Sequence, residues 1–410
     1  MTKNTYPEED DLQKFVAGRY RTAWVWQTVF LLSLLIAIIS LSALLLNVAD
    51  GAFGYVAYDF KTDPATISDK PVEDLSQPEL LAILQAKLSK GAYNKLDKEA
   101  PMASRSREDL YSLLLERIIQ VDTRKTYSLF DSLFHKAEIE AEVREKYPEA
   151  RLEFRNWLSS NFLTTPMSSK AEFAGVRTAV LGSIWLVAIA VALALPVGVG
   201  AAIYLQEYAR KNFINNVIQT NINNLAGVPS IVYGMLGLAI FVRAFEVFTS
   251  GSMFGITDTN GRTIMSAGLT MGILVLPLVI INAQEAIKAV PDSIRQAAFG
   301  VGATRWQTVW SHVLPNALPG ILTGSILAMS RAVGETAPLI IVGASTFISV
   351  DPSGPFSKFT ALPIQIYQWT ARAQSEFHNI AAAAIIVLLI LLLTLNATAI
   401  LLRNRFQRRY

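Results

Sequence analysis

Six apolar stretches, near residues 24–48, 176–204, 222–248, 263–287, 319–342 and 380–402, constrain this chain more than anything else in it. Each is close to the roughly 20 residues that a helix needs to cross a hydrocarbon layer about 30 Å thick. Inside lipid every backbone N–H and C=O must be satisfied within the segment, which leaves the α-helix as the form such stretches take. The expected fold class is therefore all-α, a polytopic membrane protein with six transmembrane helices. With 52% hydrophobic residues in 410, the chain carries more apolar surface than two or three soluble domains would bury.

The formal charge is +3, and Lys and Arg gather at the ends of the apolar stretches instead of on one basic face, which argues against nucleic acid as a partner. With the N-terminus inside, the inner segments hold Lys3, Lys14, Arg19, Arg21, Arg210, Lys211, Lys288, Arg295, Arg305, Arg403, Arg405, Arg408 and Arg409. The outer loops have only Arg243, Arg262, Lys358 and Arg372 near them. That asymmetry predicts a multi-pass protein of the bacterial inner membrane with both termini cytoplasmic. Residues 1–23 then form a cytoplasmic leader and 24–48 an uncleaved first span, because about 25 apolar residues exceed the 7 to 15 of a signal-peptide core. The chain has no Cys, and His135, His312 and His378 are too scattered to ligate a metal, so no cofactor is expected.

Residues 49–170 form a polar insert that this orientation places in the periplasm. Ser76-Gln-Pro-Glu79 is a capping-box pattern ahead of Leu80, Leu81, Leu84 and Leu88, and Leu110, Leu113, Leu114, Ile118 and Val121 recur at helical spacing. The insert is expected to be helical, either a docking platform or a structural addition, and 171–410 to form the remaining membrane core with five helices.

A loop at 289–316 reads as helix, elbow, helix. Pro291 suits a first turn, Gly300 and Gly302 permit a sharp bend, Thr304 with Gln307 forms a capping box, and Pro315 is expected to stop the second helix. Trp306, Val309, Trp310 and Val313 are expected on one face of that helix. Such an element can enter a groove on another protein or lie among lipid headgroups.

In the fifth stretch, Ser330-Arg331-Ala-Val-Gly334-Glu335-Thr336-Ala-Pro338 puts two charges four residues apart at membrane depth. A charge there costs at least about 2.5–3.5 kcal/mol unless it meets a partner or a polar path. Mutual pairing is one reading; an oxyanion path is the other. A guanidinium offers a fork matched to two oxygens, while a carboxylate only accepts and so favours an anion that still carries a proton. Phosphate carries a proton at neutral pH and sulfate does not. Arg331 would bind the oxygens, Glu335 would orient Arg331 or accept from P–OH, Ser330 and Thr336 could donate, and Gly334 would permit close approach.

Gln296-Ala297-Ala298, three residues, Gly302, nine residues, then His312-Val-Leu314-Pro315 resembles the EAA loop of ABC importer permeases, with Gln296 in place of Glu and His312 in place of Ile. The resemblance implies that this loop, Thr304 and Trp306 included, seats in a cleft of an ATPase subunit. Arg331-x-x-Gly334-Glu335-Thr336-Ala-Pro338 is similar to the signature of phosphate-specific permeases of the PstA type. Gly227-Val-Pro229-Ser-Ile-Val-Tyr233-Gly234 and Ala361-Leu-Pro-Ile-Gln-Ile-Tyr367 match that family as well. The first of these also suggests a broken helix beside a cavity. The resemblance covers about 172–409 and implies a subunit that passes inorganic phosphate through the bilayer. Its partners would be a second permease, two ATPase subunits and a periplasmic phosphate-binding protein. The chain has no G-x-x-x-x-G-K-[ST] loop, so ATP hydrolysis is expected from another chain. Competing readings are a sulfate or molybdate permease, an ion-coupled secondary phosphate transporter and a membrane-anchored phosphate sensor.

Overall fold

The computed structural model describes residues 9–406 except 63, 69, 100, 211, 256–259 and 349. Of the charges used to orient the chain, Lys3, Lys211, Arg408 and Arg409 lie outside the described residues.

Among the described residues five helices are long and apolar enough to cross a membrane: Leu12–Ala52, Arg177–Tyr208, Ile264–Lys288, Arg305–Gly334 and Ser375–Arg405. They are spans one, two, four, five and six. The third apolar stretch is not one helix but two, Phe213–Ala226 and Ser230–Ala244, bent by 103° where Pro229 withholds an N–H and Gly227 loosens the backbone. Six continuous spans thus become five and one broken span, as the Gly-Val-Pro sequence suggested.

Span four is the central helix. Gly268 and Gly272 lie against Ile189 and Leu193 of span two so closely that a Cβ would sit 2.7–2.8 Å from their side-chain atoms. Gly198 of span two meets Val279 of span four the same way. With no hydrophobic drive between helices in lipid, such small-residue seams supply the van der Waals contact that holds spans together. Span one leaves most of its surface exposed and joins the bundle only near its end, where Val48 and Ala52 pack with Ala381 and Ala384 of span six and Asn379 Nδ2 donates to Gly51 O at 2.7 Å.

The insert has the expected helices, Gln77–Lys87 and Arg107–Leu114 among them, with the Ser76/Glu79 capping box formed and a core of Leu80, Leu84, Met102, Leu110, Leu114 and Ile119. It also holds a three-stranded antiparallel sheet that the helical expectation did not include. β1 (Phe53–Phe60) runs straight off span one and lies between β2 (Val121–Thr126) and β3 (Arg151–Asn156). The aromatic and β-branched alternation of Tyr55, Val56 and Tyr58 favours a pleated surface over a helix. Val121, expected to continue a helical leucine pattern, starts β2 instead, after Gln120 turns the chain through a left-handed conformation at φ 56°. Trp157 and Phe162 of the insert share one core with Leu362, Trp369 and Ile380, which fixes the insert on the ends of the spans.

Candidate functional site

Two breaks in the helices meet. Span five stops at Gly334, Glu335 is extended at φ −76° and ψ 123°, and a short helix, Ala337–Val342, restarts the chain. This corrects the expectation of one continuous span over 319–342 that carries Arg331 and Glu335 four residues apart. Pro338 occupies the first turn of the new helix, where its missing N–H costs nothing. That helix crosses the second half of the broken third span. A Cβ on Gly234 would lie 2.7 Å from Pro338 Cα, so only glycine lets the two backbones touch. Tyr233 Oη donates to Leu225 O at 2.8 Å and ties the broken third span across its bend.

Arg331 therefore lies in the last turn of span five, where a cation complements the helix dipole, and Glu335 sits just past the end. Their closest approach, Arg331 Nε to Glu335 Oε1, is 3.6 Å. The Arg331 side chain is 54% exposed and Glu335 21%, so the pair lies on the surface of this chain and not in its interior. A cavity of about 790 Å³ in the insert includes neither residue. Gly334 is exposed beside them, and Thr336 is half-buried at the break. Ser330, grouped on sequence grounds with the charged pair, is bonded elsewhere: its Oγ donates to Asn396 Oδ1 of span six at 2.5 Å. Asn396, a lone amide within an apolar run, was a legible signal of a polar contact at depth.

At the opposite end of span two from the insert, the elbow forms as two arms. Asp292–Gly300 is the first, Gly302 turns the chain at φ +81°, and Thr304 Oγ1 accepts from Gln307 N in the expected capping box. The second arm does not end at Pro315. It runs unbroken into span five, over 30 residues from Arg305 to Gly334. A wide turn at Val309–Val313, in which Leu314 N reaches back to Val309 O, absorbs the proline, and Asn316 Nδ2 donates to His312 O at 2.7 Å. The wide turn also changes the angular phase. Val309 and Val313 point into the bundle, while Trp306 and Trp310 stack at 5.4 Å on the outside, 60% and 58% exposed. The four residues expected on one face thus divide between two. Gln296, Ala297 and Gly302 are exposed, Ala298 is buried against the bundle, and Leu314 and Pro315 are half-buried where the arm enters span five.

Arg295, counted on sequence only as an orientation charge, anchors the elbow. Its Nη2 lies 2.8 Å from Glu207 Oε1 at the end of span two, and its other donors reach Ile287 O at 2.9 Å and Val290 O at 2.7 Å. Both side chains are nearly buried, at 14% and 12% exposure. Glu207→Ala should lower the stability of the purified protein by about 3 kcal/mol, since it leaves a buried guanidinium whose one remaining acidic partner among the described residues is Asp292. Thermal unfolding in nanodiscs checks this, and an unchanged Tm would show the pair to be dispensable.

Residues 194–410 match the family described as binding-protein-dependent transport system inner membrane component, and that is more than half of the chain. The chain belongs to this family. Among relatives, the probable ABC transporter permease protein YqgI of Bacillus subtilis (strain 168) is 33% identical over 209 residues, covering 50% of this chain and 67% of its own. The phosphate transport system permease protein PstA of Yersinia pestis is 32% identical over 226 residues, covering 55% of this chain and 71% of its own. A solved inward-facing MetNI methionine ABC transporter overlies 59% of this chain and all of that one at 17% identity, with a TM-score of 0.42. The chain is thus an ABC transporter permease subunit of the inner membrane, a transport component and not an enzyme. The family match begins beyond the insert, whose role in this permease is not inherited from it.

Proposed function

We propose that this permease passes inorganic phosphate along a path between itself and a second permease subunit, with Arg331 and Glu335 facing that path. The observation that carries the reading is the Arg331–Glu335 pair at the helix break, 3.6 Å apart, with Arg331 exposed and Glu335 half-buried in the isolated chain. Two charges at membrane depth are too costly to face lipid, so a subunit interface with a polar path is the surface that suits them. The similarity to PstA-type permeases supports phosphate as the cargo. Gly334 and Thr336 line the same break. Ser330 acts on this reading by holding spans five and six together, since its hydroxyl is committed to Asn396.

The elbow, with Trp306 and Trp310 outermost, serves as the docking element for an ATPase, one of two expected in the assembly. A periplasmic phosphate-binding protein would deliver the cargo on the insert side. On this reading both termini are cytoplasmic, residues 49–170 are a periplasmic unit and 289–316 is the coupling loop. The test is anion-stimulated ATP hydrolysis by the purified assembly. Phosphate should stimulate and sulfate should not, because the fully ionised sulfate dianion has no proton to donate to the Glu335 carboxylate. Equal stimulation by sulfate would remove the discriminating role of Glu335 and favour a general oxyanion permease.

A further inference from the structure

The insert holds a half-open cavity of about 790 Å³ between the sheet and the helical lobe, with Arg151, Glu153 and Arg155 of β3 on one side and Tyr58 and Phe60 of β1 beside them. A narrower extension of about 150 Å³ shares Arg155 and reaches Trp157 and Ile380 in the core common to the insert and the spans. We infer that this cavity binds a small organic anion, an oxyanion head joined to a flat apolar body, with Arg151 and Arg155 holding the head.

The charge arrangement carries the inference. Residues 151, 153 and 155 alternate onto one face of the strand. Of the two acids nearby, Glu153 already accepts from Tyr58 Oη at 2.8 Å, and the Glu172 carboxylate accepts from Thr123 Oγ1. Arg155 Nη2 donates to the backbone carbonyl of Glu172 at 2.7 Å and not to its carboxylate. Among the described residues neither arginine has a salt bridge. Each is instead backed by a ring: the Arg155 guanidinium carbon lies 4.5 Å from the Trp157 ring centre, and that of Arg151 5.2 Å from Phe60. A guanidinium stacked on its face keeps its N–H edge for two oxygens of an anion. Burial pulls the Arg155 guanidinium below its ordinary range, a cost that a bound anion would offset. Burial, and then the bond to Glu153, push Tyr58 up to about 12, so the phenol stays protonated and keeps that carboxylate occupied.

The size of the cavity selects the body of the ligand. Pockets of about 300–1,000 Å³ suit organic molecules, and a bare inorganic oxyanion would leave this one mostly empty. Phe60, Tyr111 and Phe173 supply apolar walls. The site is distinct from Arg331, which lies on span five outside this cavity.

Phenyl phosphate and methyl phosphate are suitable probes, titrated calorimetrically into the full chain in lipid nanodiscs. The expected result is saturable binding of phenyl phosphate at least about tenfold tighter than methyl phosphate. Arg155→Gln and Arg151→Gln should each weaken it about tenfold or more, and Arg331→Ala should leave it unchanged. Arg151 is exposed, so its variant decides the matter even if Arg155→Gln folds poorly. No saturable binding, equal affinity for the two probes, a dissociation constant unmoved by Arg151→Gln, or an equal loss in Arg331→Ala would each overturn the inference.

Discussion

Arg331→Ala is expected to reduce phosphate uptake to background while the chain still inserts in the membrane and still co-purifies with its ATPase. The expectation that folding survives rests on exposure. A pair 3.6 Å apart with one partner more than half exposed contributes at most about 1 kcal/mol to stability, so its loss should not unfold a bundle held by glycine seams. What the alanine removes is a planar donor fork. Arg331→Lys keeps the charge and loses the fork, and should restore no more than about a tenth of the uptake, since a hydrogen bond to a charged group contributes about 1.5–3 kcal/mol. Labelled-phosphate uptake, run beside an immunoblot of the membrane fraction, separates transport from assembly. Normal uptake by the alanine variant would take Arg331 out of the path.

Trp306→Glu should uncouple the subunit from its ATPase. Trp306 and Trp310 form a stacked pair on the outside of the elbow, with Phe299 and Val301 also exposed nearby. Large aromatic side chains at the centre of an interface commonly account for 2 kcal/mol or more of binding, about a thirtyfold change in affinity. A carboxylate buried in the docking interface would add a desolvation cost. The expected readout is phosphate-stimulated ATP hydrolysis falling to the basal rate, with phosphate uptake lost in parallel. Proline at this position is a weaker test, because residue 306 lies in the first turn of Arg305–Thr308, where no intrahelical N–H bond is lost. Unchanged coupled transport by Trp306→Glu would show that the elbow docks elsewhere.

The features legible in the sequence were those decided locally. Apolar length alone located the spans, and the Thr304 and Ser76 capping boxes formed because a cap involves residues only three apart. The bend in the third apolar stretch was written in Gly227 and Pro229. Less was legible where distant residues decide. Arg295 looked like one more inner charge because its partner, Glu207, is 88 residues earlier. The sheet went unread because leucine spacing in the insert was the stronger pattern, while β1 needs β2 and β3 on both sides to bury its strand edges. The end of span five was misplaced because Gly334 and Glu335 permit helix as easily as they permit a stop. Pro338 cannot bond back to Gly334, and the approach of Gly234 to Pro338, between two segments 104 residues apart, is a contact that no local pattern shows.

Because the second arm of the elbow passes into span five without a joint, the stacked indoles and the paired charges occupy opposite ends of one rod. Thirty residues at about 1.5 Å each make it roughly 45 Å long. A rod tilts as a whole, so a small swing at Trp306 becomes a displacement of similar size and opposite sense at Gly334, with the packed middle as fulcrum. On the proposed function, nothing need be relayed side chain by side chain for motion at an ATPase-docking surface to reach a phosphate path near the other end.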